Sequence, residues 1–143
     1  MKYRIEISEL QSEDIVVYAK KKTPLLEKIE ELLSSSVKTV VGYNGDDAAV
    51  LDTESINCFY VENGRVYART DTELWQIKLR LYQLEEMLFG VFVKINQSCL
   101  INPKKIVKFN TSIAGTLSVV LKNGYKDYVS RRQLKEVKER MGL

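Results

Sequence analysis

A mainly β fold carrying a few short helices, an α+β arrangement, is what this sequence predicts, and three features lead there. Asn44-Gly45, Asn63-Gly64 and Asn123-Gly124 each separate two runs of alternating apolar residues. An Asn-Gly pair in that setting is the strongest short-range hairpin signal, because a type I′ turn requires positive φ at two consecutive residues. Helical leucine spacing, by contrast, is confined to short stretches. With 143 residues, 45% of them hydrophobic and 29% charged, the chain can bury a core and lacks the composition of a disordered tail.

Residues 1–42 read as a β-β-α extension. Residues 2–7 alternate polar and apolar positions and predict a strand, and Ile15 to Ala19 predict a second. Thr23 can cap a helix whose first position is Pro24, where no backbone donor is needed. Leu25, Leu26, Ile29, Leu32 and Leu33 fall on one face, with Glu27, Glu30 and Glu31 opposite, and the helix ends over Ser34 to Ser36. Such an apolar face must pack against something.

Residues 43–143 read as the main domain. Strand pairs flank the three Asn-Gly turns, and further strands at 92–96 and 99–101 are broken around Gln97-Ser98. Leu81, Leu84 and Leu88 place a helix over 79–88; the preceding Leu74 to Ile77 fits a strand or that helix's first turn. A last helix runs from about 131 to 141. Ser130 and Gln133 stand in capping-box spacing, Leu134, Val137 and Met141 form its apolar stripe, and Lys138 and Arg140 suit the negative pole of its dipole.

The chemistry of catalysis is missing. Histidine, the commonest general base and metal ligand, is absent, as are phosphate-binding glycine loops and Cys/His clusters. Cys58 and Cys99 lie in separate strand-like runs and read as buried reduced thiols. Glu85 and Glu86, adjacent on a helix, point apart; Asp46-Asp47 belong to a hairpin tip; Trp75 reads as packing. The expectation is therefore no enzyme, no catalytic residue, no metal, no cofactor and no small-molecule substrate. No apolar run reaches the roughly 20 residues of a membrane span, and the alternating N-terminus is unlike a signal peptide. A cytoplasmic location is expected.

Charge is informative once it is divided along the chain. Residues 1–42 are neutral, residues 43–91 carry −5, and residues 92–143 carry +8. A basic final third is what a polyanion-binding face requires, since each neutralised phosphate releases condensed counterions. Lys104 and Lys105 follow the turn Asn102-Pro103, and Arg131 and Arg132 open the last helix. Cations there oppose the dipole at a cost of a few tenths of a kcal/mol. Together with free backbone donors they suit phosphate or base-edge contact.

Phe92-Val93-Lys94-Ile95-Asn96-Gln97-Ser98-Cys99-Leu100-Ile101-Asn102, with Ile106 beyond, resembles the LytTR pattern Phe-x-Arg-Val-His-Arg-Ser, apolar residues, Asn and a later Ile. Tyr128-Val129-Ser130-Arg131-Arg132 resembles that family's closing Val-Ser-Arg element, Ile56 to Glu62 its hairpin, and the Leu81/Leu84/Leu88 helix its leucine-rich helix. The likeness covers roughly residues 43–143.

It implies a β scaffold that reads double-stranded DNA in successive major grooves through loops, with two copies on repeated half-sites. Carried over residue by residue, base contact falls to Asn63, Asn96, Gln97, Arg131 and Arg132. Phosphate contact falls to Arg65, Lys94, Ser98, Lys104, Lys105 and Lys135. Lys94, Asn96 and Gln97 depart from the family's Arg, His and Arg; Asn and Gln can still pair with adenine but steer no phosphate. The resemblance further implies a bacterial-type regulator without a receiver domain, since 42 residues are too few for one. It also implies a small membrane protein as controlling partner. The competing reading is a protein-interaction adaptor on the same scaffold with weak or no DNA binding.

Overall fold

A computed structural model of the chain describes residues 16–34, 38–112 and 115–143. Helix α1 (Pro24–Ser34) precedes strands β1 (Thr39–Asn44), β2 (Asp47–Asp52), β3 (Cys58–Glu62), β4 (Arg65–Arg69) and β5 (Leu74–Ile77). Helix α2 (Leu81–Met87), β6 (Val93–Asn96), β7 (Cys99–Ile101), β8 (Ile106–Thr111), β9 (Leu117–Leu121), β10 (Lys126–Val129) and α3 (Arg131–Met141) follow. The strands form a seven-stranded sheet in the order β2-β1-β5-β4-β3-β7-β6 and a three-stranded sheet in the order β10-β9-β8. All strand pairings are antiparallel. The α+β expectation holds.

Alternation along the strands divides the core in two. Phe59 and Leu100 point to one face of the large sheet, where Leu81 and Leu84 of α2, Leu88 just beyond its end, and Phe92 cover them. Cys58, Tyr60, Cys99 and Ile101 point to the other face, against Leu117, Val119, Leu121 and Val129 of the small sheet and Val137 of α3. Period-two side-chain direction thus gives a layered molecule, with α2 on one side of the large sheet and the small sheet with α3 on the other. Tyr125 fastens the sheets: its ring stacks on Tyr60 at 5.7 Å, and the Arg69 guanidinium lies over both rings at 5.1 and 5.3 Å.

All three Asn-Gly signals mark hairpins, yet only Asn63-Gly64 has two positive φ angles, 51° and 74°. At the first, Asn44 pairs with Asp47, so Gly45-Asp46 is the turn and Gly45 alone has positive φ. At the third, a three-residue loop ends in Gly124 with φ 85°, the usual alternative for short hairpins.

Leu74–Ile77 is a strand, and Trp75 is half-buried against the core. Trp75 explains Gly42: a Cβ there would stand 2.7 Å from Leu51 Cδ1 and 2.7 Å from Trp75 Cβ. The Trp75 atom is fixed by its backbone, so the clash cannot relax by rotation. Gly42→Ala should therefore cost about 1–3 kcal/mol, the usual penalty of overpacking, read as a lower urea midpoint at unchanged slope.

The N-terminal expectations fare unevenly. Residues 2–7 and Ile15 lie outside the described residues, and Val16 to Ala19 form no strand. Helix α1 forms as expected, with the Leu26 N–H donating to Thr23 Oγ1 at 3.3 Å. Its acidic side is exposed, and Glu27, Glu30 and Glu31 border a cleft with Gly90, Val91, Pro103 and Lys104; Leu25, Leu32 and Leu33 of the apolar face, expected to be packed, are exposed as well. The expected boundary at 42/43 falls inside β1, whose partner strands β2 and β5 belong to the large sheet.

Candidate nucleic-acid interface

Three polar connections meet at one end of the two sheets, and main-chain hydrogen bonds hold them together. The β3–β4 turn carries Asn63 and Gly64, the β6–β7 turn carries Gln97 and Ser98, and the β10–α3 junction carries Ser130 to Arg132. Val61, just before the first turn, donates its N–H to Ser98 O at 2.9 Å, and Ser130 donates its N–H to Ile95 O at 2.8 Å. Rigid elements thereby fix the relative position of the three tips.

Asn96 is the hinge pin of this arrangement and corrects an expectation. It is 2% exposed. Its Nδ2 donates to Tyr128 O at 2.9 Å and to Asp127 Oδ1 at 3.2 Å, and its Oδ1 accepts the Ser98 N–H at 2.8 Å. Every polar atom of the side chain is engaged internally, so Asn96 cannot contact a base in this conformation.

A bulge is the reason. Lys94 pairs with Leu100 and Asn96 with Cys99, which leaves Ile95 as the extra residue. Ile95 and Asn96 therefore point successively toward the small sheet, where strict alternation would have turned Asn96 away. Gln97, next in sequence, is exposed.

The other expected contacts sort by position. Asn63, Arg65, Gln97, Ser98, Arg131, Arg132 and Lys135 are exposed on or beside the three connections. Lys94 faces α2 and pairs with Glu85 at 3.6 Å. Lys104 and Lys105 follow β7, at the end opposite the Gln97-Ser98 turn. Lys104 pairs with Glu54 at 3.9 Å and borders the acidic side of α1, while Lys105 is half-buried. The structure brings neither Lys104 nor Lys105 to the loop tips. The cations of the final third are consequently divided among surfaces rather than gathered on one.

Helix α3 lacks the predicted cap: Ser130 makes no side-chain capping bond, and its carbonyl takes the Gln133 N–H at 3.1 Å. The helix is anchored by its stripe instead, with Val137 buried and Leu134 and Met141 packed beside it. Arg131 and Arg132 are thus held at a helix start with backbone donors close by, an arrangement that attracts anions.

Asp127 was not foreseen as part of the site. Its carboxylate accepts from Asn96 Nδ2, the Tyr128 N–H at 2.8 Å and the Tyr125 hydroxyl at 2.9 Å. A sequence signal existed: it is the lone acid between residues 92 and 135. Burial, with Asp127 and the two cysteines nearby, pushes the Tyr125 hydroxyl well above its ordinary range. Cys58 and Cys99 are free thiols with no exposed surface. A hydrogen bond with Cys58, then burial, raises the Cys99 thiol far above the usual value. It stays protonated and poorly nucleophilic.

Comparison with known proteins agrees with this architecture. An HTH-type transcriptional regulator of Staphylococcus aureus (strain MSSA476) is 30% identical over 146 residues, spanning 100% of this chain and 99% of its own. A counterpart in strain MW2 has the same identity and coverage. A solved LytTr DNA-binding domain from Bacillus cereus shares the fold with a TM-score of 0.71, at 16% identity, over 76% of this chain and 100% of its own. The family profile described as LytTr DNA-binding domain matches residues 46–142. That stretch takes in most of both sheets and all of α3, and the chain belongs to the LytTr DNA-binding domain family.

Proposed function

We propose that this chain is a transcription regulator that binds double-stranded DNA in a sequence-specific manner. Asn63, Gln97, Arg131 and Arg132 reach base edges from the three connections, while Arg65, Ser98 and Lys135 hold phosphates. Two copies occupy repeated half-sites. The observation that carries the reading is the pair of main-chain bonds, Val61 to Ser98 and Ser130 to Ile95, which fix three exposed polar tips at one end of a rigid scaffold.

Helix arrangement supports loops as the reading elements. Among the described residues, strands separate α1 from α2 and α2 from α3, so no two consecutive helices form the pair that would present a recognition helix. Gln97 can pair bidentately with adenine and Arg132 with guanine.

Selection of bound duplexes from a random pool tests the proposal. The expected result is an enriched motif of two half-sites about one helical turn apart, with affinity falling steeply as salt rises. A protein that shows no salt-dependent affinity for any duplex would be an interaction adaptor instead, and the proposal would be lost.

A further inference from the structure

The outer face of the small sheet is strongly polarised. Phe109, Val119, Leu117 and Leu121 point into the core between the sheets. The alternate positions therefore face outward. Register places Lys108 and Lys126 on either side of Val120, and Asn110 and Tyr128 on either side of Ser118. Lys108 and Lys126 are exposed, and Tyr128 is 61% exposed.

No acid balances these cations locally. Asp127 is the sole acid between residues 106 and 130, and its carboxylate is turned inward onto Asn96 and Tyr125. Neither Lys108 nor Lys126 takes part in an ion pair among the described residues. Two lysines flanking one valine across adjacent strands, roughly 10 Å apart, repel each other mildly and lay their stems over apolar surface. Such a face is complementary to a polyanion.

Its position identifies which one. Along β10, Lys126 and Tyr128 lead into Ser130 and Arg132. Lys126 precedes Arg132 by six residues in the chain, which bounds their separation at roughly 22 Å. A helical turn of duplex spans about 34 Å. A duplex engaged at Arg132 is within reach of this face.

We infer that Lys108 and Lys126 form a second phosphate-contact surface, gripping the backbone of the same duplex beyond the segment read by the loops, with Tyr128 and Asn110 as neutral donors two positions further along the same strands. This rests on the DNA-binding reading above. Because phosphate contact carries no sequence information, the face should add affinity without preference.

The test compares three proteins on a pool-selected duplex and a random duplex, titrated between roughly 50 and 200 mM salt. They are the wild type, the double variant Lys108→Gln/Lys126→Gln, and a charge-matched control, Lys20→Gln/Lys21→Gln. The first double variant should lose affinity for both duplexes by the same factor, and its log–log salt slope should be shallower by about two units. Lys108→Arg/Lys126→Arg should restore the wild-type slope, which an unfolded variant could not do.

An unchanged slope in the Gln double variant, or an equal change in the control, would overturn the inference while leaving the loop reading intact. Loss confined to the selected duplex would also overturn it, since the lysines would then be reading bases. Absence of salt-dependent binding in the wild type removes both readings and is recognised from that arm alone.

Discussion

Asn96→Ala should destabilise the fold by about 3 kcal/mol and weaken duplex binding, although residue 96 touches no solvent-facing ligand. Truncation leaves the Ser98 N–H and the Tyr128 carbonyl without partners and takes a donor from the Asp127 carboxylate. These bonds are part-buried, and a group orphaned away from water costs about 1–3 kcal/mol. For a chain of this size the melting temperature should fall by roughly 10 °C. The bonds lost are those that shape the β6–β7 turn and tie it to the start of α3. Binding measured at a temperature where the variant remains folded should therefore also suffer. Gln97→Ala offers the contrast: its side chain is exposed, so stability should stay within about 0.5 kcal/mol while binding falls. Wild-type stability in Asn96→Ala would mean the turn does not depend on that side chain.

Arg132→Ala should cost about 1–3 kcal/mol of binding free energy and relax preference at one base position of the selected site. Arg132 is exposed in the first turn of α3, where no acidic residue lies within that turn. Removing a cation from the positive end of the helix dipole relieves a small repulsion, so thermal stability should be unchanged or slightly higher. Loss of binding without loss of stability is the signature of contact. If the variant binds selected and random duplexes as the wild type does, Arg132 reads nothing. Lys138→Ala, in the last turn of the same helix, serves as the control for general charge loss.

Much of the fold was legible because it rests on local rules. The Asn-Gly dipeptides located three hairpins, and period-two alternation located their strands. The leucine stripe of α2 and the stripe of α3 fell where the 3.6-residue period put them. What escaped depended on contacts distant in sequence. A bulge at Ile95, set by pairing with β7, reversed the direction of Asn96, and no local pattern announces it. The capping-box spacing of Ser130 and Gln133 was present, but the Ser130 N–H is held by Ile95 instead. Lys104 and Lys105 looked equivalent to the arginines as cations beside a turn. Only the path of β7 shows that they lie at its far end.

The β6–β7 turn assigns neighbouring positions opposite duties: residue 96 faces the interior and residue 97 faces outward. With Gln97 as a base contact, as proposed, framework and recognition are uncoupled across a single peptide bond. Under that proposal, substitutions at Gln97 should retune which operator is chosen without jeopardising folding. That same separation makes position 97 the natural starting point for engineering altered site preference.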